Sequence, residues 1–195
     1  MGRRRLAASS IALALAACAP GCGNERQDAP RVPQASPPSG KRTEQLVRYG
    51  VSFTRPRNWS LSGGRLPQLA SVSSGRAIVT LWRYRRVERL PRSDADLVRA
   101  RKALVTAARG RDKTLRVVSA RGLRLDGVPG VELVANEKLG LVRRKVRSTH
   151  LYAHGAELVV DAYAPAGEFA QVDSAAFVPL LRSLRVTEPR PRRRS

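Results

Sequence analysis

The sequence predicts an α+β domain in which helices pack on an antiparallel sheet, and two observations lead to this prediction. Segments of alternating apolar and polar side chains recur along residues 49–186, and tight-turn sequences join four of them. The apolar period changes to that of a helix twice, over residues 93–110 and 173–184. Strands joined by tight turns are antiparallel neighbours, which gives the element order β-β-β-α-β-β-β-β-α.

Three strands precede the first helix in this prediction. Residues 50–54 alternate and end before Pro56, and residues 59–61 form a short second strand that Gly63 ends. The third strand, residues 77–87, has two faces. One face carries Ile78, Trp82 and Tyr84, and the other carries Val79, Leu81, Arg83 and Arg85.

The first helix is predicted between two end signals. Ser93 followed by Asp96 is typical of a capping box, and Gly110 is typical of the residue that follows a helix. Between them the apolar side chains fall on one side of the helix. These are Leu97, Val98, Leu104, Val105 and Ala108.

A four-stranded meander and a closing helix follow. The strands are residues 115–125, 131–137, 141–152 and 156–163, joined by turns at Asp126-Gly127, at residues 138–140 and at His154-Gly155. The closing helix covers residues 173–184 and contains Pro179, which removes a backbone hydrogen bond, so its start is open.

The first seventeen residues resemble a bacterial lipoprotein signal peptide. Three arginines precede an uncharged run, residues 6–17, which is too short to span a bilayer. The run ends in Leu15-Ala16-Ala17-Cys18, which resembles the lipobox at all four positions. The resemblance implies that Cys18 becomes the lipid-carrying first residue, on the extracytoplasmic face of the cell membrane.

Alternatives to the lipoprotein interpretation stay open. Ordinary cleavage after Ala14-Leu15-Ala16 would give a secreted protein, and an Arg-rich, acid-free leader is also compatible with an organellar presequence. The choice between Sec and twin-Arg export is open, and Cys22 is given no role.

Two segments outside the domain, residues 47–186, are predicted to be disordered. Residues 18–46 are rich in Pro and lack an apolar period, which is typical of a flexible tether. Residues 187–195 contain two Pro and four Arg and form a basic tail.

The domain resembles PsbP-like domains, including bacterial lipoproteins of the LpqN type. The resemblance lies in Tyr49-Gly50-Val51-Ser52-Phe53 with Pro56 and Trp59, in Gly127-Val128-Pro129-Gly130-Val131-Glu132, and in residues 177–184. It implies an α/β/α sandwich around a central antiparallel sheet. It also implies a binding or accessory role without catalysis, and it transfers no site residues.

The composition excludes several classes of site. Two Cys only four positions apart, two His and no Cys after residue 22 argue against a disulfide scaffold and a zinc module, so no metal and no cofactor is expected. Motifs for phosphate-binding loops, dinucleotide folds and nucleophile elbows do not occur. Ser148, His150 and Asp161 have the residue types of a hydrolytic triad, so a hydrolase around His150 is kept as an alternative.

Basic clusters are the other candidate site. The domain's residues 49–186 contain 25 basic and 11 acidic residues, a net +14 of the chain's +22. This predicts an anionic lipid or cell-wall polymer as a partner, beside an unidentified protein partner, and no nucleic acid, because an export signal precedes the domain. The alternative is a solvated face in an Arg-biased sequence. The candidate anion-binding residues are Arg83, Arg85, Arg86, Arg143, Lys145 and Arg147.

Overall fold

A computed structural model of the chain describes residues 32–190. Ten strands run through this part of the chain: β1 Arg42–Leu46, β2 Val51–Arg55, β3 Ser60–Gly63, β4 Gln68–Ser74, β5 Ala77–Arg85, β6 Arg116–Leu125, β7 Val128–Leu139, β8 Val142–Ala153, β9 Ala156–Pro165 and β10 Arg185–Val186. The helices are α1 Asp94–Arg111, α2 Phe169–Val172 and α3 Val178–Ser183, with a π-helical turn, Asp173–Phe177, between the last two.

The strands form two antiparallel sheets. The large sheet has seven strands in the order β3-β4-β5-β9-β8-β7-β6, and the small sheet has the order β1-β2-β10. Helix α1 contacts β6 and β7 of the large sheet, whereas α3 contacts β2 of the small sheet. The predicted α+β fold, with helices on both sides of a central antiparallel sheet, is therefore confirmed.

The meander β6–β9 forms because its turns suit the residues in them. Asp126 and Gly127 both have positive φ, 51° and 79°, and His154 and Gly155 have φ of 49° and 66°. A two-residue turn with positive φ at both positions matches the twist of antiparallel strands and sets their register. These two predicted turns are confirmed, and the second places Ser148 opposite Asp161. The third, predicted at residues 138–140, falls at Gly140 and Leu141, because β7 continues to Leu139 and β8 begins at Val142.

The large sheet has a different core on each face. Even-numbered residues of β9, such as Leu158 and Val160, pack with β2, α2 and α3 in the larger core. Trp59 and Phe177 meet edge to face in this core, with ring centroids 6.3 Å apart. The smaller core lies under α1 and holds Ala108, Leu115, Leu133, Ala135 and Val146. Packing in the larger core explains Trp59. Trp82 is only partly buried.

Helix α1 begins as the sequence predicts and ends later. Ser93 accepts from the Asp96 N–H at 3.1 Å while Asp96 accepts from the Ser93 N–H at 3.0 Å, which completes the capping box. The predicted stop at Gly110 is wrong, because α1 continues to Arg111 and is capped at Asp112. Of the predicted apolar side, Leu97 and Ala108 are buried, whereas Val98 remains exposed.

The closing helix is interrupted, as Pro179 led us to expect. It consists of α2, the π-helical turn and α3, and Pro179 lies in the first turn of α3. A proline is tolerated there because the first-turn N–H groups of a helix have no intrahelical partner. The break therefore falls ahead of the proline and not at it.

The predicted boundary of the tether is wrong at its C-terminal end. Residues 42–46 were expected to be disordered, but they form β1 and pair with β2. Upstream, the indole Nε1 of Trp59 donates to the Ser36 carbonyl at 3.2 Å, and the Ser36 N–H donates to Ser74 Oγ at 2.9 Å. Partners distant in sequence hold this segment, and its own composition does not reveal them. Residues 18–31 of the predicted tether lie outside the described residues.

Two further strands were not predicted from the sequence. Strand β4 follows Pro67 and has a register shift between Gln68 and Ala70, which disturbs its alternation. Strand β10 has two residues. Within residues 32–190 no helix combines the length and the apolar character that crossing a membrane requires.

Candidate functional site

A cleft of about 850 Å³ lies between α1 and the large sheet. Its floor is formed by side chains of β5, β7, β8 and β9, and the segment between β5 and α1 borders it with residues 88–91. This volume is within the range of sites that bind small molecules. The cleft exists because α1 rests on β6 and β7 and leaves the neighbouring strands uncovered on this face.

The helix contributes an apolar wall of small side chains. Ala100, Ala103, Leu104, Ala107 and Ala108 line the cleft, at the spacing of one helix face. Ala103 and Ala107 remain exposed, since nothing in the described chain packs against them. Small residues at these positions keep the helix from filling the space above the strands.

The floor of the cleft is a continuous chain of hydrogen-bonded side chains. Ser148 Oγ lies 2.5 Å from Asp161 Oδ1 and 3.0 Å from His150 Nε2. On the other side of the ring, His150 Nδ1 lies 2.6 Å from Glu157 Oε1. Arg86 closes the chain by donating through Nε to Glu157 Oε2 at 2.9 Å.

Counting protons along this chain fixes its net charge. Ionised Glu157 only accepts, so His150 Nδ1 carries a proton, and the single hydroxyl proton of Ser148 serves either Asp161 or His150 Nε2. If Ser148 donates to Asp161, His150 is an imidazolium; if it donates to Nε2, Asp161 holds a proton. Both arrangements give Asp161, Ser148, His150 and Glu157 one negative charge in total, and Arg86 balances it.

The two carboxyl groups of the chain have opposite pKa shifts. Burial would raise the pKa of Glu157, but hydrogen bonds from His150 and Arg86, with their charges, hold it below its ordinary value. Burial raises the pKa of Asp161, and the hydrogen bond from Ser148 and the charges of His150 and Arg111 offset only part of this. Of the two carboxyl groups, Asp161 therefore keeps a proton more easily than Glu157.

Tyrosine hydroxyls and one arginine complete the polar side of the cleft. Burial raises the pKa of Tyr152 to about 12 and also raises that of Tyr163, so both are neutral donors at physiological pH. The charge of Arg111, in the last turn of α1, acts on Tyr84, Asp161 and Tyr163. Arg111 itself makes no ion pair and no side-chain hydrogen bond with residues 32–190.

The structure brings the three residues of the predicted triad together, but in an order that does not suit hydrolysis. Asp161 contacts Ser148 and not His150, and Glu157, which was not predicted, takes the position next to His150 Nδ1. Ser148 is buried in β8, whose backbone groups pair with β7 and β9 on both sides. An oxyanion hole needs N–H groups aimed at a reacting carbonyl, and those of this strand are used by the sheet.

The predicted basic residues lie in two separate places. Arg143, Lys145 and Arg147 share a face of β8, as alternation predicts. Arg83 and Arg85 are at the opposite end of the sheet, because Arg85 pairs with Ala156 beside the β8–β9 turn. Ten residues of extended strand separate the outermost members, Arg143 and Arg85, or roughly 33 Å, whereas Arg147 and Arg83 are four residues apart along the strands, or roughly 13 Å. One flat ligand contact therefore does not cover all the residues of both groups.

Ion pairs within the domain occupy two of these basic residues. Arg147 donates to Asp173 Oδ1 at 2.8 Å and lies 2.7 Å from Glu132 Oε2. The hydrogen bond to Asp173 raises the pKa of Arg147 despite partial burial. Arg86 is paired with Glu157 at the cleft. Lys145 lies over the Phe169 ring, 5.3 Å from its centroid, which is a cation–π contact.

The remaining predicted residues have less defined surroundings. Arg143 and Arg85 are exposed. Arg83 is partly buried, donates to the His154 carbonyl at 3.3 Å, and has a second nitrogen, Nη1, that is buried with no partner in the described chain. Cys18, the predicted lipid attachment residue, lies outside the described residues.

Sequence reasoning missed the residues that give the cleft its shape and charge. Glu157 could have been found from the His154-Gly155 turn, since a two-residue turn places it opposite Tyr152 on the face of His150. Arg111 and the alanine wall gave no such signal, because the position of α1 over the sheet is tertiary. Within residues 32–190 no group of three or more potential ligands is arranged to hold a metal ion.

Comparison with known proteins supports the fold. No protein-family profile and no curated protein sequence matches the chain. Among solved structures, cyanobacterial PsbP (CyanoP) from Synechocystis superimposes with a TM-score of 0.57 at 14% identity, covering 76% of this chain and 94% of that one. The Ran-binding protein Mog1p of Saccharomyces cerevisiae gives 0.53 at 9% identity, covering 77% and 97%.

A third structure links the fold to the resemblance seen in the sequence. LpqN of Mycobacterium tuberculosis, described as involved in cell envelope biogenesis, superimposes with a TM-score of 0.50 at 14% identity, covering 76% of this chain and 91% of LpqN. The domain therefore has the fold of PsbP-like and LpqN-type proteins. At such low identity the likeness concerns the fold alone.

Proposed function

We propose that this chain is an exported lipoprotein, anchored through lipid on Cys18, whose PsbP-like domain binds a small ligand in the α1 cleft without changing it chemically. The cleft is the observation that carries the proposal. It combines a volume of about 850 Å³, an apolar helical wall and a polar floor. Concave sites with these properties are where proteins bind small molecules.

The polar floor supports binding over catalysis. The acids and bases that hydrolysis would need already satisfy one another in the chain from Asp161 to Arg86. Such a network holds the floor in one conformation and presents a fixed surface to a ligand. Rigid preorganised sites bind well because little conformational freedom is lost on binding.

The leader supports export and anchoring. A positive start, an uncharged run and the sequence Leu15-Ala16-Ala17-Cys18 occur in the order that lipoprotein maturation requires. LpqN, which shares the fold, is described as acting in cell envelope biogenesis. An envelope location gives the net +14 of the domain a negatively charged surface as its surroundings.

Ligand-observed NMR against a mixed library of acidic, basic and neutral small molecules tests the binding function. We expect at least one ligand to show a binding signal with the wild-type protein. That signal should be lost with Ala103→Trp, which fills the cleft, and kept with Thr106→Trp. Thr106 is an exposed residue of the same helix that does not line the cleft. A library with no ligand that distinguishes the two variants would contradict a binding function for the cleft.

Mass spectrometry of the mature N-terminus tests the anchor. We expect a chain that begins at Cys18 with acyl chains attached, and a Cys18→Ala variant that leaves the membrane fraction. An unmodified N-terminus at any other residue would contradict the lipoprotein proposal while leaving the cleft unaffected.

An ester panel tests the absence of catalysis. We expect the protein and its His150→Ala variant to give the same background rate on p-nitrophenyl esters. Hydrolysis well above background that disappears in both His150→Ala and Ser148→Ala would assign a hydrolase instead.

A second candidate function, binding of anionic lipid headgroups, is favoured by Arg83. Burial lowers the pKa of this guanidinium, and the described chain offers it no carboxylate. Arg85 and His154 border the same small pocket. Binding to anionic phospholipid vesicles should fall steeply with salt, and Arg85→Gln should weaken it more than Arg143→Gln does.

A further inference from the structure

We infer that the ligand of the α1 cleft is an amphiphile with one acidic head group, which Arg111 binds while the apolar part lies along the alanine wall. This inference rests on the proposed binding function and names its ligand class. Two features of the cleft carry it, and they are independent of each other. One is the distribution of unpaired charge, and the other is the length and composition of the helical wall.

Most charged groups of the cleft already have partners in the domain. The chain from Asp161 to Arg86 has no net charge, as counted above. Glu137 is paired with Arg144, and Asp112 accepts from the N–H and hydroxyl of Thr114, which turns its carboxylate toward its own loop. None of these groups needs a ligand to satisfy its hydrogen bonds, although Asp112 keeps a negative charge next to Arg111 because its partners in Thr114 are neutral.

The other charged groups of the cleft lie in two places, at its border and near its inner polar groups. Glu88 and Arg89 are exposed in the segment that leads from β5 to α1, and their opposite charges offset each other. Arg111 is the remaining cation in the described part of the cleft, and it lies near the inner polar groups Asp161 and Tyr163, on whose pKa values its charge acts. Arg111 is exposed and lies beside the apolar wall of the cleft, and an unpaired guanidinium can hold an anion with paired N–H donors.

The groups around Arg111 suit the oxygens of an acid. Tyr84 carries a neutral hydroxyl that can donate to it, while the neutral hydroxyl of Tyr163 is directed to Asp161. Asp161 does not repel an acid when it holds the shared proton of the chain, one of the two arrangements that the hydrogen bonds allow. A carboxylate or a phosphate ester would meet the same donors.

The wall determines the rest of the ligand. From Ala100 to Arg111 the helix runs about 16 Å at a rise of 1.5 Å per residue, and the cleft-facing residues between them are Ala or Leu. Beneath the helix, Leu115, Leu133, Val146 and Val159 border the cleft but are already buried in the domain. An alkyl chain of medium length, extended from a head group at Arg111, would therefore remove mainly the exposed Ala103 and Ala107 from water.

Calorimetric titration with four dodecyl compounds tests the inference. The protein is the mature chain, residues 18–195, with Cys18→Ser so that no attached lipid competes. The probes are laurate, dodecyl phosphate, dodecanol and dodecylamine, each below its micelle concentration. We expect at least one of the two acids to bind at least tenfold more tightly than dodecanol, and dodecylamine to bind most weakly. Comparing the affinities of laurate and dodecyl phosphate shows which acid the cleft prefers.

Arg111→Gln and Arg109→Gln form the matched pair of variants. Both remove one positive charge from the last turn of α1, but Arg109 does not line the cleft. We expect Arg111→Gln to weaken the acids to the level of dodecanol and Arg109→Gln to leave them unchanged. Thermal melts of both variants check that each is folded.

Several results would overturn the inference and still leave the binding function to its own test. Equal affinity for dodecanol and the acids, tighter binding of dodecylamine, or equal losses in the two arginine variants would contradict a specific acid site. No binding of any probe would also contradict it. Ligands from the mixed library that Ala103→Trp excludes would then show that the cleft binds molecules of another class.

Discussion

The two faces of the seven-stranded sheet differ in what covers them, although the same strands build both. On one face, Leu158 and Val160 of β9 are buried beneath β2, α2 and α3. On the other face, Glu157 and Asp161 of the same strand form part of a polar floor beneath a cleft. One face has the close packing of a domain core, whereas the other retains space and hydrogen-bonding groups.

The difference shows how one strand can serve stability and binding together. Successive side chains of a strand point to opposite faces, so replacing one residue of β9 changes only one of them. The wide sheet needs cover on the first face to hold the domain together. On the second face α1 covers only β6 and β7, and the uncovered strands are free to carry polar residues.

Leu158→Ala should have the largest effect, confined to the packed face. Leu158 is 1% exposed, so its truncation leaves a cavity in the larger core. We expect a loss of about 2–5 kcal/mol in the free energy of unfolding, measured by urea denaturation. Ligand affinity at a temperature where the variant is folded should not change, and a changed affinity would show that the faces are coupled.

Replacing Glu157 should have an intermediate effect on the cleft face. Glu157→Ala leaves the buried His150 Nδ1–H without its acceptor, at a cost of about 1–3 kcal/mol, whereas Glu157→Gln keeps an acceptor and should cost less. The pKa of Glu157 is lowered in the folded protein, so its contribution is present above the ordinary pKa of glutamate and is lost as pH falls through the folded value. Urea denaturation at several pH values should show the gap between wild type and Glu157→Gln narrowing on acidification. A gap independent of pH would contradict this.

Asp161→Asn should have the smallest effect on stability, and it should stabilise the domain where the other two replacements destabilise it. The folded pKa of Asp161 is raised, so the stability tied to its protonated form is present at low pH and is lost as pH rises through the folded value. Asn resembles the protonated acid, because its amide N–H can donate to Ser148 as the protonated carboxyl does. The variant's melting temperature should match that of wild type in acid and exceed it as pH increases. Lower stability at every pH would mean that an ionised Asp161 stabilises the floor.

The sequence determines the fold well where local signals are strong. The Asp126-Gly127 and His154-Gly155 turns and the Ser93 capping box each depend on residues within a few positions, and the structure has all three. The segment before β1 depends on partners distant in the chain, because Ser36 is held by Trp59 and Ser74. No pattern within that segment indicates those partners, and its Pro-rich composition led to the wrong prediction of disorder for β1 as well.

The site was predictable only along the strands. Ser148, His150 and Asp161 were grouped correctly, because alternation and the turn after β8 bring them to one face. The role of these three residues could not be predicted, because it depends on Glu157 and on the backbone pairing of β8. The cleft itself results from where α1 rests, which the amphipathic pattern of a helix does not specify.

The most direct test of the account is an NMR titration of alanine methyl groups with laurate. The packed face contains Ala70, Ala77 and Ala162, and the cleft wall contains Ala100, Ala103 and Ala107. We expect saturable shifts at the wall alanines and none at the packed alanines, and Arg111→Gln should need at least tenfold more laurate to give the same shifts. Shifts at Ala70, Ala77 and Ala162, or no shifts at the wall under saturating laurate, would contradict the account.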